Sequence, residues 1–288
     1  MTKIWTLSLT LLMLLVSNVS TAKSPVWQVE KNGKTVFIGG TIHLLGQQDY
    51  PLPAAFDQAY EKSQVLVLEV DLNKAQTPQF QQQMLAQMTY QDGRTYADVL
   101  QSKTVERLNT YMQQRGLPVD NFKVFKPSLL SITLTMVELQ RLGIAGTGVD
   151  MFYSMRGSND AKRFQYLELP NEQIEFLADL GKGFEDEYIN YTLDDMHRLA
   201  DMMSEMKVAW RQGDNDALYD LAGKEWQQNF PQSYQSIIVE RNNNWLADIE
   251  SYFSSDEVEF ILVGAMHLVG NEGVLQSLRD KGYQITQL

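Results

Sequence analysis

The stretch that decides the fold is Gly40-Thr41-Ile42-His43-Leu44-Leu45-Gly46, which the chain repeats as Gly264-Ala265-Met266-His267-Leu268-Val269-Gly270. Both copies fit the pattern G-x-x-H-L-x-G, and each follows an apolar run, residues 36–38 in the first copy and residues 260–263 in the second. Runs of large and β-branched apolar residues that end at glycine are typical of buried strands. Each histidine is therefore expected just beyond the carboxyl end of a strand, the edge at which open α/β sheets bind ligands.

A histidine at such a position can act as a general base or as a metal ligand near neutral pH. The alternative is structural, with two similar strand–turn corners whose histidines are satisfied by the backbone. His43 and His267 are two of only three histidines in the chain, and they lie near its opposite ends. The paired occurrence favours one shared site. The third histidine, His197, lies in a charged helical stretch that is typical of a solvated face.

Composition limits the class of protein. The chain has 288 residues, 44% of them hydrophobic, which is enough for a sizeable core. The formal net charge of −12 disfavours nucleic acids and anionic membranes as partners. Cysteine is absent, which excludes disulfides, cysteine-ligated metal sites and thiol nucleophiles.

The amino terminus has the features of a signal peptide. A lysine near the start, an apolar run at residues 7–16 and the small residues Ser20-Thr21-Ala22 predict that residues 1–22 are removed after Ala22. The predicted location is the bacterial periplasm or the medium, with residues 23–288 forming a single domain. No later stretch is long and apolar enough to anchor the mature chain in a membrane.

Along the mature chain, strands alternate with helical segments. Asn32-Gly33 is typical of a β-hairpin turn, and it precedes the strand that leads to His43. Residues 143–148 contain three glycines without phosphate-loop spacing, and we expect a flexible turn there. Other predicted strands are 65–70, 163–169, 258–263 and 283–286, and the predicted helical regions are 77–142 and 185–252.

Two glutamates also close apolar strands. Glu69 ends the strand at residues 65–70, and Glu168 ends the strand at residues 163–169. A carboxylate in so apolar a run is costly to bury unless it is paired or bound to a metal, although a solvated strand end is the alternative. Arg241 could clamp a substrate carboxylate or stabilise an oxyanion, or could form an ordinary ion pair on a helix surface.

Parallel strands with helical crossovers bring these strand ends to one edge of the sheet. Two imidazoles and one or two carboxylates can hold a divalent metal, with zinc, manganese and cobalt all suitable. The bound water would be acidified, and a carboxylate could move its proton. Without a metal, one histidine could itself be the base.

The two G-x-x-H motifs, Leu68-Glu69-Val70-Asp71, Gly148-Val149-Asp150, Leu167-Glu168 and Arg241 resemble the TraB/GumN family, which includes pheromone-shutdown proteins and the Tiki metalloproteases. The resemblance spans residue 27 to the end of the chain. It implies an α/β (α+β) fold related to erythromycin esterases and ChaN-like proteins, with a central mixed sheet flanked by helices and a large helical insertion. One departure is Leu169, where the family commonly has threonine.

The resemblance places the family's histidines at His43 and His267, its glutamates at Glu69 and Glu168, and its arginine at Arg241. We expect His43, His267 and Glu168 or Glu69 to hold a manganese, cobalt or zinc ion, and Glu69, Glu168 and Arg241 to act in catalysis. The leading hypothesis is an exported metal-dependent hydrolase, by preference a peptidase, whose partner is a peptide or small-molecule substrate. Two alternatives remain. One is a non-catalytic protein that binds haem or a peptide, and the other is a metal-free esterase with a histidine base.

Overall fold

A computed structural model describes residues 23–288, so the predicted signal peptide at residues 1–22 lies outside the described residues. Within residues 23–288, no helix combines the length and apolar character needed to cross a membrane. The strands are β1 (Val26–Lys31), β2 (Lys34–Thr41), β3 (Leu44–Leu45), β4 (Val65–Leu68), β5 (Gly146–Thr147), β6 (Arg163–Tyr166), β7 (Glu259–Gly264) and β8 (Gln284–Gln287).

The helices surround the sheet and also form a separate lobe. They are α1 (Ala54–Lys62), α2 (Leu72–Ala75), α3 (Pro78–Met88), α4 (Ser102–Gln114), α5 (Pro127–Arg141), α6 (Val149–Asn159), α7 (Pro170–Ala178), α8 (Glu185–Asp195), α9 (Leu199–Arg211), α10 (Asn215–Leu218), α11 (Lys224–Asn229), α12 (Pro231–Tyr234), α13 (Arg241–Tyr252) and α14 (Val274–Asp280). Two π-helical turns, Tyr219–Gly223 and Gln235–Glu240, interrupt the helices between α10 and α13.

The main sheet has the order β6-β4-β7-β2-β1-β8. Strands β6, β4, β7 and β2 pair in parallel, whereas β1 is antiparallel to both of its neighbours. The predicted hairpin is present, since Asn32 and Gly33 have φ values of 53° and 78°, as a tight turn between strands requires. The predicted α/β class, with a central mixed sheet flanked by helices, is confirmed.

Both faces of the inner parallel strands β4 and β7 are buried, which explains why their sequences are largely apolar rather than alternating. The edge strand β6 is parallel to β4, but its residues alternate between exposed and partly buried. On β7, Phe260 and Leu262 join the core under α1, α6 and α9, whereas Ile261 and Val263 join the core under α13 and α14. Trp210 of α9 fixes one of these layers to the sheet, because its buried indole N–H donates to the Gly40 carbonyl at 2.7 Å.

Helices α4, α5 and α8, with part of α9, form a lobe that has its own apolar core, centred on Leu108, Leu134 and Leu193. This lobe corresponds to the predicted helical insertion. Its one deeply buried charge, Glu138, accepts hydrogen bonds from Arg115 at 2.9 Å and from Arg141 at 2.6 Å.

The segment at residues 143–148 contains a short strand in addition to the expected turn. Its strand β5 pairs with β3, immediately after His43, and Val149 N donates to the Ile42 carbonyl at 3.0 Å. Gly148 permits this close approach, because a Cβ atom there would lie 2.1 Å from the His43 carbonyl oxygen. The sequence did not predict this strand, because a two-residue strand leaves no periodic signal.

Candidate active site

A pocket of about 660 Å³ opens at the carboxyl ends of the parallel strands. His43, Glu69 and His267 line it, and Gly264 lies between them. A Cβ atom on Gly264 would be 3.4 Å from both His43 Nε2 and Glu69 Oε1, and 3.6 Å from His267 Cδ2. The two motif histidines and Glu69 therefore converge on one point, although more than 220 residues of sequence separate the histidines.

Arg241 links both predicted glutamates to His267. Its Nη2 donates to Glu69 Oε2 at 2.7 Å and to Glu168 Oε1 at 2.7 Å, and its Nε donates to Glu168 Oε2 at 2.9 Å. Its Nη1 lies 3.0 Å from His267 Nε2. The guanidinium is 7% exposed, so two carboxylates share one buried cation, which is the charge-assisted, bidentate geometry that arginine favours.

The helix that carries Arg241 also explains its position. Arg241 is the first residue of α13 and follows the π-helical turn Gln235–Glu240, a distortion that is frequent at functional sites. One turn further on, the Trp245 ring lies 4.7 Å from the Arg241 guanidinium and 4.5 Å from the His267 ring. The indole thereby covers both groups and keeps water from them.

Asn242 fixes the tautomer of His267. Its amide Nδ2 donates to the carbonyls of His267 and Glu272, at 3.2 Å and 2.8 Å, so its Oδ1 must be an acceptor. His267 Nδ1, at 2.7 Å from this oxygen, therefore donates, and Nε2 accepts from Arg241. Burial and the nearby Arg241 lower the pKa of His267 to about 3 despite the opposing charge of Glu69, so this ring is neutral.

His43 has a different environment. Its Nδ1 lies 3.3 Å from Asp150 Oδ2, which leaves Nε2 directed at the point beside Gly264. Burial lowers the pKa of His43, but the hydrogen bond and charge of Asp150, with a contribution from Glu69, raise it to about 9. Because 61% of the His43 side chain is open to solvent in the pocket, water screens part of these effects on its pKa. The contact with Asp150 still makes the net shift an increase.

The pKa values of Glu69 and Glu168 shift in opposite directions. Burial raises the pKa of Glu69, but Arg241 and the two histidines outweigh it and bring it to about 2. For Glu168, burial dominates over Arg241 and raises the pKa. Glu168 lines a smaller cavity and not the main pocket, and it accepts a hydrogen bond at 3.2 Å from Nε2 of Gln173, which does line the main pocket.

Sequence reasoning assigned no role to Asp150 or Asn242, the residues that orient the two histidines. Asp150 was visible only as part of Gly148-Val149-Asp150, and Asn242 only as the neighbour of Arg241. Asp150 Oδ1 and Thr41 Oγ1, both in the pocket, are buried without a hydrogen-bond partner among residues 23–288. His197 is exposed on the helical lobe, outside the pocket.

The polar side chains at the pocket form two groups with different chemistry. Arg241, Glu69, Glu168 and His267 form a buried network whose hydrogen-bonding positions are largely used within the network. His43 keeps one ring nitrogen open to the pocket and the other on a carboxylate, the arrangement that suits a group that moves a proton. The predicted metal ligands His43 and His267 thus reach the same pocket, but in different bonding states.

Comparison with known proteins gives one match. Neither the curated proteins nor the solved structures contain a significant match to the chain. The sequence profile described as the TraB/PrgY/gumN family matches residues 25–287, which is nearly the whole chain. This confirms the resemblance drawn from the paired motifs, and the protein belongs to the TraB/PrgY/gumN family.

Proposed function

We propose that the pocket is the active site of a hydrolase in which His43 removes a proton from the attacking water. One observation carries the proposal: His43 Nε2 faces the pocket while Nδ1 lies 3.3 Å from Asp150. When His43 is deprotonated, above its pKa of about 9, the carboxylate on the far nitrogen holds the ring in the tautomer whose Nε2 has a free lone pair, and it stabilises the imidazolium that forms.

The substrate class proposed is a peptide, or a small molecule with an amide or ester carbonyl. The resemblance of the motif pair to the Tiki metalloproteases favours the peptide bond. The predicted export of the chain is compatible with a substrate outside the cytoplasm, and it stays a prediction.

Arg241 is proposed to be a positioning residue. It holds Glu69, which in turn accepts the Gly264 backbone N–H at 2.6 Å, and it holds the lone pair of His267. These bonds fix the floor of the pocket beneath His43. The guanidinium also supplies a permanent positive charge where the sequence predicted a metal cation.

The predicted metal set of His43, His267 and Glu168 does not fit this arrangement of donors. A neutral imidazole binds a metal through its lone pair, and the lone pair of His267 accepts a hydrogen bond from Arg241. Both carboxylate oxygens of Glu168 also accept hydrogen bonds from Arg241. Residues 23–288 contain no group of three or more His, Asp or Glu side chains placed to hold an ion. A metal-dependent form therefore requires Arg241 to move away, and it stays a prediction.

The test compares His43→Ala with His197→Ala, which removes an exposed histidine outside the pocket. Purified proteins are assayed on blocked peptides and neutral esters. We expect His43→Ala to lose about 100-fold or more of kcat/KM, the usual contribution of a general base, and His197→Ala to keep its rate. Equal rates for His43→Ala and wild type would overturn the proposal.

Chelation separates the two forms of the hydrolase. Activity that survives exhaustive chelation supports His43 as the base without a metal. Activity that is lost and then restored by manganese, cobalt or zinc supports the metal-dependent form instead. Haem titration, followed by visible absorption, tests the non-catalytic alternative, which a bound haem without any turnover would favour.

A further inference from the structure

Most of the pocket lining that the helices contribute is apolar, with Gln173 of α7 as an uncharged polar exception, and the charged groups lie at or beside the strand ends. Helix α7 contributes one side, helix α9 another, and the second π-helical turn and the His267 motif complete it. We call this surface the apolar wall, and it consists of Phe176, Leu177, Met203, Met206, Ile237 and Met266.

The ionisable groups on the floor are already paired with one another. His43 faces Asp150, and Arg241 faces Glu69. Among the described residues that line the pocket, no further charged side chain is present to pair with a ligand charge. A ligand that brought a charged group into this space would leave it without a counter-charge, which is costly in an apolar environment.

The basic residues of helix α9 bind partners outside the pocket. Lys207 Nζ lies 2.9 Å from Asp49 Oδ1, and Arg211 donates to the carbonyls of Asp49 and Pro51. Met203 and Met206, three residues apart and so on one face of the helix, are the side chains that α9 presents to the pocket. Methionine is unbranched and polarizable, so it adapts to apolar groups of different shape.

We propose that the apolar wall selects substrates with a large, uncharged apolar side chain next to the carbonyl under attack, and that Met203 and Met206 are specificity-determining residues. The proposal rests on the proposed function for turnover, but not for binding. The volume of about 660 Å³ lies within the usual range for ligand sites, so it can hold an apolar side chain with its neighbouring backbone. A free charged terminus is disfavoured by the same wall.

The experiment uses peptides that are acetylated and amidated, identical except for one central residue: Leu, Phe, Ala, Asp or Lys. The rate constant kcat/KM is measured with the full wild-type chain. Binding is measured by calorimetry with His43→Ala, which keeps the wall and lacks the proposed base. We expect Leu and Phe to exceed Ala by about 10- to 200-fold, the range that apolar pockets achieve, and Asp and Lys to rank last.

A charge placed on the wall provides the matched comparison. In Met206→Lys, the ratio of Asp-peptide to Leu-peptide binding should rise at least about 10-fold, because the lysine supplies the missing counter-charge. The control is Met155→Lys, at a methionine that is 49% exposed and outside the pocket, and its ratio should stay at the wild-type value. Met203→Glu should shift the preference toward the Lys peptide.

The outcomes separate this inference from the hydrolase. Apolar preference in binding with no turnover of any peptide contradicts the peptidase form of the hydrolase and supports the wall. Equal binding of the Leu, Asp and Lys peptides overturns the inference, as does an unchanged ratio in both wall variants. Turnover without apolar preference keeps the hydrolase and overturns the wall.

Discussion

Asp150→Asn is the most informative single change, because it removes a negative charge 3.3 Å from His43 Nδ1 and keeps the shape of the side chain. Asp150 is the main group that raises the pKa of His43 from 6.5 to about 9, against the effect of burial. In the variant, only the more distant Glu69 still raises it. Solvent screening of the exposed ring weakens the effect of Asp150, so we expect the pKa of His43 to fall by at least about one unit.

Proton NMR of the imidazole rings measures this directly, because the chain has only three histidines. His197→Gln and His43→Ala assign the signals. In wild type, one signal should titrate with a midpoint of about 9, and the buried His267 should stay neutral over the accessible range because its pKa is about 3. In Asp150→Asn, the His43 midpoint should move to lower pH, and the His267 signal should not change.

The same shift should appear in catalysis. If the neutral form of His43 is the base, kcat/KM of wild type rises with pH up to about 9. In Asp150→Asn the rise should level off at lower pH, and the plateau should be lower because the amide holds the ring less firmly. Identical NMR midpoints in the two proteins would refute the pairing of His43 with Asp150. Shifted midpoints with an unchanged rate profile would refute His43 as the base.

Stability should follow the same ion pair. Since the folded-state pKa of His43 lies above its ordinary value, the stabilisation is fully present below pH 6.5 and is lost as the pH rises through about 9. Urea denaturation of wild type and Asp150→Asn should therefore differ most at the acidic end of this window. The two free energies of unfolding should converge at its alkaline end.

Three further changes test other parts of the structure. Glu259→Gln should raise the free energy of unfolding by about 1 kcal/mol at pH 7 in urea denaturation, because Glu259 is 2% exposed with Oε2 unpaired and burial raises its pKa. This gain should shrink as the pH falls and Glu259 takes up a proton; a loss of stability at pH 7 would contradict the reasoning. Arg241→Met should destabilise the fold by about 3–5 kcal/mol, because two buried carboxylates lose their partner, and its Tm should rise with manganese or zinc. The same metal-induced rise in wild type would show that Arg241 does not exclude the ion. Gly148→Ala should lower both stability and activity, because its Cβ would overlap the His43 carbonyl, and a crystal structure with β3 and β5 unmoved would contradict this.

The main features of the fold followed from the sequence because parallel strands that are buried on both faces have continuous apolar runs. The runs that lead to His43 and His267 predicted two parallel strands, and the structure pairs these directly as β2 and β7. The strand-end position of Glu69 likewise predicted its place beside them. Local pattern was sufficient here, since the carboxyl ends of neighbouring parallel strands must lie at one edge.

The parts that the sequence did not predict depend on distant contacts. Asp150 reaches His43 only because the two-residue strands β3 and β5 pair, and such short strands have no periodicity. Asn242 acts through backbone carbonyls at residues 267 and 272, which leave no trace in side-chain patterns. Arg241 binds Glu69 and Glu168 together, and not a partner on the surface. Only tertiary packing brings these three residues into contact.

The position of β7 has a consequence for biosynthesis. This strand lies between β4 and β2 in the finished sheet, yet it is made more than 190 residues after β4. A nascent chain that has not yet extended past His267 cannot bring the two motif histidines together, and its two early strands lack the neighbour that joins them. The pocket at the strand ends therefore cannot form until almost the last residues have been synthesised, and an incomplete chain lacks it.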